Sequence, residues 1–223
     1  MKRSQINAAI RKAETLLAAH HWAMPDFASW TPKDHRADPA RHAWLSERQI
    51  GWDVTDFGLG DFENLGLVLF CVRNGIAGQP GERPYAEKLL FVEPDQVTPF
   101  HAHKVKLEDI IVRGGGTLCI EFSETGTVEP AEGAPLVDTV LIDGAKRPAF
   151  GQVHKLRAGQ SITIPRGLQH SFWGEGETVF VAEVSQCNDD MQDNFFRDGI
   201  GRFSQIEEDV PAYRLLWNEQ IIP

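Results

Sequence analysis

The chain has 223 residues, 42% of them hydrophobic and 24% charged, which suits one globular domain with terminal additions; no run nears the roughly 18 apolar residues of a membrane span. Its formal charge of −10, with no basic block to offset it, argues against nucleic acid and polyanionic substrates and favours a neutral or modestly polar small molecule. Cys71, Cys119 and Cys187 lie far apart without metal-ligand spacing, and the amino-terminal segment lacks a continuous apolar core. Both features predict a cytoplasmic protein with free thiols.

In chain order, Ile6, Ile10, Ala13 and Leu17 recur at helical spacing and predict an amphipathic helix from Ser4 to about Ala19, with Ser4 as N-cap. The following Trp- and Pro-rich stretch is read as irregular, with Asp38 capping and Pro39 opening a second short helix. Trp22, Trp30 and Trp44 are expected to anchor this segment, and His20, His21, His35 and His42 have no ligand spacing. Residues 1–50 thus form a helical extension. From Gly51 the pattern changes to short apolar runs separated by Gly, Pro, Asn and Asp, among them LGLVLFCVRNG, KLLFVEPDQ, DIIVRGGGTLCIEFS and TVFVAEVSQ. These predict an all-β barrel over residues 51–186. The tail, residues 187–223, is acidic but carries Phe195, Phe196, Phe203, Leu216 and Trp217, which should dock on the barrel or on a second subunit.

Chemistry concentrates in two segments, PFHAHKVKLEDIIVRGGG and GQSITIPRGLQHSFWG. His101 and His103 are two apart and share a face if extended, Glu108 follows after a short turn, and His170 lies far downstream. Three imidazoles and a carboxylate suit a first-row divalent metal and leave coordination positions for substrate oxygens. Glu183 alternates inward in VFVAEVS, and a buried glutamate needs a partner, so a role in binding substrate or in supporting a metal ligand is expected. Lys88 in AEKLLFV is a second inward candidate, with a place on the rim as the alternative. Asp189, Asp190 and Asp193 either bond substrate hydroxyls or cap turns.

The spacings His101-x-His103-x4-Glu108-x6-Gly115 and Gly159-x5-Pro165-x-Gly167-x2-His170 resemble the two-part signature of the cupins, double-stranded β-barrels with a metal near one mouth. Gly174 departs from it, standing where Asn is frequent. The longer segment between the two motifs implies an extended hairpin or inserted loop. Further segments, GWDVTDFGLGDF, PYAEKLLFV, EVSQCNDDMQDNFF and IGRFSQIEED, resemble a narrower group, the D-lyxose isomerases, over nearly the whole chain. That resemblance implies a jelly-roll barrel with a helical extension and a packed tail, a homodimer, and interconversion of D-lyxose with D-xylulose and of D-mannose with D-fructose. It implies a divalent metal, first Mn2+, with Fe2+, Co2+, Ni2+ and Zn2+ as alternatives, held by His101, His103, Glu108 and His170. It also implies Lys106 as a catalytic residue, either a cation holding a substrate oxygen or a neutral amine moving a proton. The proton-transferring glutamate is expected in the IEED stretch, at Glu207, with Glu208 left open and otherwise binding substrate beside Lys88, Glu183, Asp190 and Asp193. Two other readings of the same barrel are an iron-dependent dioxygenase and a non-catalytic sugar-binding protein.

Overall fold

The short apolar runs form two antiparallel sheets in the computed structural model, which describes residues 1–131 and 137–221. The larger sheet contains β1 (Gly51–Thr55), β2 (Leu67–Arg73), β3 (Tyr85–Val92) and β5 (Glu108–Gly114). It also holds β7 (Thr139–Ile142), β8 (Ala145–Pro148), β10 (Ser161–Ile164) and β12 (Val179–Gln186), in the order β1-β2-β3-β12-β5-β10-β7-β8. The smaller sheet holds β4 (Thr98–Ala102), β6 (Thr117–Ser123), β9 (Val153–Leu156), β11 (Gln169–Glu175) and β13 (Phe195–Phe196), in the order β13-β4-β11-β6-β9. Inward side chains of both sheets, including Leu69, Leu90, Val112, Ile120, Leu156 and Phe172, make one core between them. This is the double-stranded barrel expected from the motifs. The extra segment between those motifs includes the β7–β8 hairpin.

A second apolar layer explains why LVLFCV and LLFV are continuous runs rather than alternating ones. Helix α1 (Arg3–Ala19) lays Ile6, Ile10, Ala13 and Leu17 over the outer face of the larger sheet, against Trp52, Val54, Val68, Phe70, Leu89, Phe91 and Phe180. Strands buried on both faces need apolar residues at every position. Each fully buried Ile or Leu contributes about 1.5–3 kcal/mol to that contact. Ser4 is not the cap: Lys2 holds that position, and Ser4 bonds through its backbone N–H and hydroxyl to the Asp209 carboxylate of the tail. Arg3, almost fully buried, is clasped by Glu208 and Glu219.

Helix α2 (Pro32–Ala37) lies in the stretch read as irregular; Thr31 caps it and Pro32 opens it. Helix α3 (Pro39–Glu47) starts as expected, the Asp38 carboxylate accepting the Arg41 N–H at 3.0 Å. Trp22 packs edge-on against Phe180, and Trp30 lies against Leu45 and Ile50, whereas Trp44 stays 40% exposed beneath Arg48 and Arg83. The tail returns to the barrel: Phe195–Phe196 adds to β4, and the Trp217 N–H bonds the Trp52 carbonyl at 2.9 Å. At Gly174 a Cβ would stand 2.9 Å from the Glu93 carbonyl oxygen, so the chain crossing there excludes the more frequent Asn. Among the described residues no helix is long and apolar enough to cross a membrane.

Candidate active site

Strand pairing assembles the histidines. β11 runs antiparallel to β4 with His170 directly opposite His101, and His103 follows two residues later on the same side. Their ligand nitrogens lie within 4.8 Å of one another, and all three rings are buried. Each Nδ1 faces a backbone carbonyl: His101 that of Pro99 at 2.8 Å, His170 that of Leu168 at 3.0 Å, and His103 that of Asp193. A carbonyl only accepts, so each Nδ1 carries the hydrogen and each Nε2 presents a lone pair. Burial, reinforced by the neighbouring imidazoles, holds His101 well below the usual histidine pKa; burial and the nearby Lys106 bring His103 to about 3.

Glu108 opens β5 and completes the group. Its Oε1 is buried, has no hydrogen-bond donor among the described residues, and stands 3.1 Å from His170 Nε2 and 3.7 Å from His103 Nε2. With the imidazole hydrogens on Nδ1, these contacts set lone pair against lone pair, which a shared cation resolves. Donor atoms roughly 2.1 Å from one ion and at right angles stand about 3 Å apart. The donor set therefore fits a divalent metal, and His101, His103 and His170 can hold one.

Beside this group lies a buried relay of charges. Lys106 Nζ is 2.8 Å from Glu108 Oε2 and 2.8 Å from Glu183 Oε1. Burial disfavours the ammonium, but Glu108 and Glu183 outweigh it and raise the Lys106 pKa, so the side chain is a cation. Burial likewise disfavours both carboxylates, yet Lys106 holds Glu108 well below the ordinary range, and Lys106 with Lys88 lowers Glu183. Glu183 faces Lys88 across the β12–β3 ladder, with the ammonium 3.6 Å from Oε1. The Ser185 hydroxyl donates to the same Oε1 at 3.0 Å. Lys88 Nζ also donates to the Asn188 amide oxygen.

The cavity joining these groups is also lined by Asp190, Asn194, Arg202 and the apolar side chains Phe57, Leu69, Phe172 and Phe196.

The structure brings His101, His103, His170, Glu108, Lys106, Glu183, Lys88 and Asp190 to one cavity. It does not bring Glu207 or Glu208 there. Glu207 exchanges backbone hydrogen bonds with Met1 and Arg3 beside α1, which leaves its side chain exposed, and Glu208 pairs with Arg3. Asp193 is adjacent but otherwise engaged: its carboxylate accepts the backbone N–H groups of Lys104, Val105 and Lys106 and shapes the turn between His103 and Glu108. Asp189 caps its own turn through the N–H groups of Met191 and Gln192. Sequence reasoning missed Asp53, Asn188, Asn194 and Arg202. For Asp53 a signal existed, since a lone acid in the strand GWDVT requires a buried partner.

The D-lyxose isomerase family matches residues 1–220. The chain is 42% identical over 224 residues to the D-lyxose/D-mannose isomerase of Escherichia coli O157:H7, covering 98% of each chain. It is 40% identical over 228 residues to the D-lyxose/D-mannose isomerase of Serratia proteamaculans, covering 99% of this chain and 98% of the relative. Among solved structures, the L-ribose isomerase of Acinetobacter sp. DL28 in complex with L-ribose superposes with a TM-score of 0.64, covering 93% of this chain and 98% of the other. At 18% identity that likeness speaks for the fold alone. Matched over nearly its whole length, the chain belongs to the D-lyxose isomerase family and is an aldose–ketose isomerase.

Proposed function

We propose that the protein interconverts D-lyxose with D-xylulose and D-mannose with D-fructose in the cytoplasm, as a homodimer, with a divalent metal held by His101, His103, Glu108 and His170, Mn2+ in the first place. The observation that carries the reading is the placement of Glu183 and Glu108 on either side of Lys106, in the cavity that contains the three histidines. The chain's similarity to two D-lyxose/D-mannose isomerases supports the choice of sugars. A bound divalent ion supplies Lewis acidity that makes the C2 proton of the aldose easier to remove.

In this proposal Glu183, rather than Glu207, moves the proton. Lys106 and Ser185 donate to Glu183 Oε1, and the Lys88 ammonium stands 3.6 Å from the same oxygen; together they fix the carboxylate, leaving Oε2 to take the proton from C2 and return it to C1. The charges of Lys106 and Lys88 outweigh burial, lower the Glu183 pKa and keep the carboxylate ionised at neutral pH. Lys106, as an ammonium, donates a hydrogen bond to the substrate oxygen that becomes negative and offsets its charge. Phe57, Phe172 and Phe196 form an apolar wall of the same cavity.

The test follows D-lyxose by NMR in deuterated water, with metal-stripped protein, Mn2+-restored protein and Glu183→Gln. The expected result is D-xylulose only with metal, deuterium at the exchanged carbon, and a loss of at least about 10³-fold in kcat for Glu183→Gln with Mn2+ binding retained. Undiminished turnover by Glu183→Gln would remove the assignment. Metal-independent turnover would remove the role of the ion.

A further inference from the structure

We infer that Arg202 binds the remote end of the sugar, donating a hydrogen bond from Nη1 to the hydroxyl on C5. This inference rests on the isomerase reading above and adds the residue that measures the substrate away from its reacting carbons. Arg202 comes from the tail, its side chain is 9% exposed, and it lines the cavity of the three histidines. Its Nη2 is fully engaged, donating to the Asp53 carboxylate at 2.5 Å and to Asp190 at 3.1 Å. Its Nη1 is buried and has no acceptor among the described residues. A charged nitrogen held in that way requires an acceptor, and a ligand entering the cavity is the group able to supply one.

Position and charge select the acceptor. Glu108 and Glu183, beside the three histidines, stand on β5 and β12, Lys88 on the adjacent β3, and Asp53 on β1 at the edge of the sheet. Three strand spacings, roughly 14 Å along the sheet, separate Asp53 from Glu183. A single nitrogen, Arg202 Nη2, bonds both Asp53 and Asp190, so the guanidinium sits with these two carboxylates at the Asp53 end of the cavity. C1 and C2 lie at the Glu183 end, so the guanidinium meets the far end of the chain. The two carboxylates more than neutralise the guanidinium, which disfavours a phosphate and suits a hydroxyl. The hydroxyl on C5 is the most remote one that a pentose and a hexose have in common. The Thr55 hydroxyl bonds the Arg202 carbonyl at 2.8 Å and anchors the residue in place.

Two measurements decide it. Calorimetry on the Mn2+-loaded wild-type protein compares the acyclic polyol D-lyxitol with its 5-deoxy derivative, neither of which closes to a hemiacetal ring. The expected loss is about 10- to 100-fold in Kd, the range for removing a hydroxyl from a charged donor. Second, kcat/KM for D-lyxose and 5-deoxy-D-lyxose is measured in wild type and Arg202→Lys, which keeps a cation between Asp53 and Asp190. The preference for D-lyxose should shrink to within about threefold in the variant. Equal Kd values for the two polyols, or a folded variant that retains the wild-type preference, overturns the inference while leaving the isomerase reading intact. Failure of wild type to convert D-lyxose overturns both.

Discussion

Replacing Asp193 with Asn separates a residue that shapes the turn between His103 and Glu108 from one that holds sugar. In the folded protein Asp193 Oδ1 accepts the Lys104 N–H at 2.7 Å and the Val105 N–H at 3.1 Å, while Oδ2 accepts Val105 at 3.2 Å and Lys106 at 3.0 Å. Asn keeps one oxygen and turns an NH₂ toward the donors that faced the other. At least one buried backbone N–H is then unpaired, at a cost of about 1–3 kcal/mol, and the remaining bonds lose their charge assistance, about 1 kcal/mol more. The expected destabilisation is about 2–4 kcal/mol, or roughly 5–15 °C in Tm for a chain of this size. The same turn carries His103, whose Nδ1 bonds the Asp193 carbonyl, and leads to Glu108. Displacing it should weaken Mn2+ binding about 10- to 100-fold. Calorimetric titration of Mn2+ into metal-stripped protein and melting curves without metal measure both effects, and KM for D-lyxose is then taken at saturating Mn2+. Unaltered Mn2+ affinity and Tm beside a raised KM would refute the reasoning and restore Asp193 as a sugar ligand.

Glu207→Gln and Glu208→Gln should leave kcat within about twofold of wild type, because both side chains are exposed outside the cavity; a loss of 10²-fold or more in either would return the proton to the tail. His103→Ala should remove metal binding and turnover together, and turnover persisting in the presence of a chelator would contradict the donor set. A pH effect on stability should come from His35 and His42, whose Nδ1 atoms meet at 3.0 Å and therefore need one donor and one acceptor. Burial, with His42 nearby, brings His35 from 6.5 down to about 4. The folded pKa lies below the unfolded one, so this contribution is complete above about pH 6.5 and is lost as pH falls toward 4. Because His35 is partly exposed, screening reduces it to about 1–2 kcal/mol. Melting curves at pH 7 and 4.5 should show it, and the difference should shrink in His35→Asn; an equal difference in the variant would place the proton elsewhere.

Local chemistry was legible wherever neighbours along the chain decide the outcome. The short runs mark the strands, Asp38-Pro39 marks the start of α3, and the positive φ of Gly159 and Gly167 fits the turns expected around the second motif. Thr31-Pro32 carries the same cap-and-proline signal at the start of α2, although the Trp- and Pro-rich composition around it reads as irregular chain. The cap of α1 was misplaced for a different reason. Ser4 has the right chemistry for a cap, but the Asp209 carboxylate, contributed from 205 residues away, takes up its hydroxyl.

The amino-acid sequence by itself determined the barrel, its helical cover and the family, since periodicity, turn residues and motif spacing are short-range properties. Which carboxylates share the cavity is a different kind of question. Glu183 reaches Lys106 across 77 residues and Arg202 reaches Asp53 across 149, because strand pairing puts β12 beside β5 and the tail folds back over β1. Glu207 has the same side chain as Glu183 and lies in a stretch equally similar to the family, yet backbone pairing with Met1 and Arg3 leaves it exposed to solvent. Only the tertiary structure could decide which of them enters the cavity, since a carboxylate becomes buried and paired through the strands and cations packed around it, and its position along the chain carries no record of those.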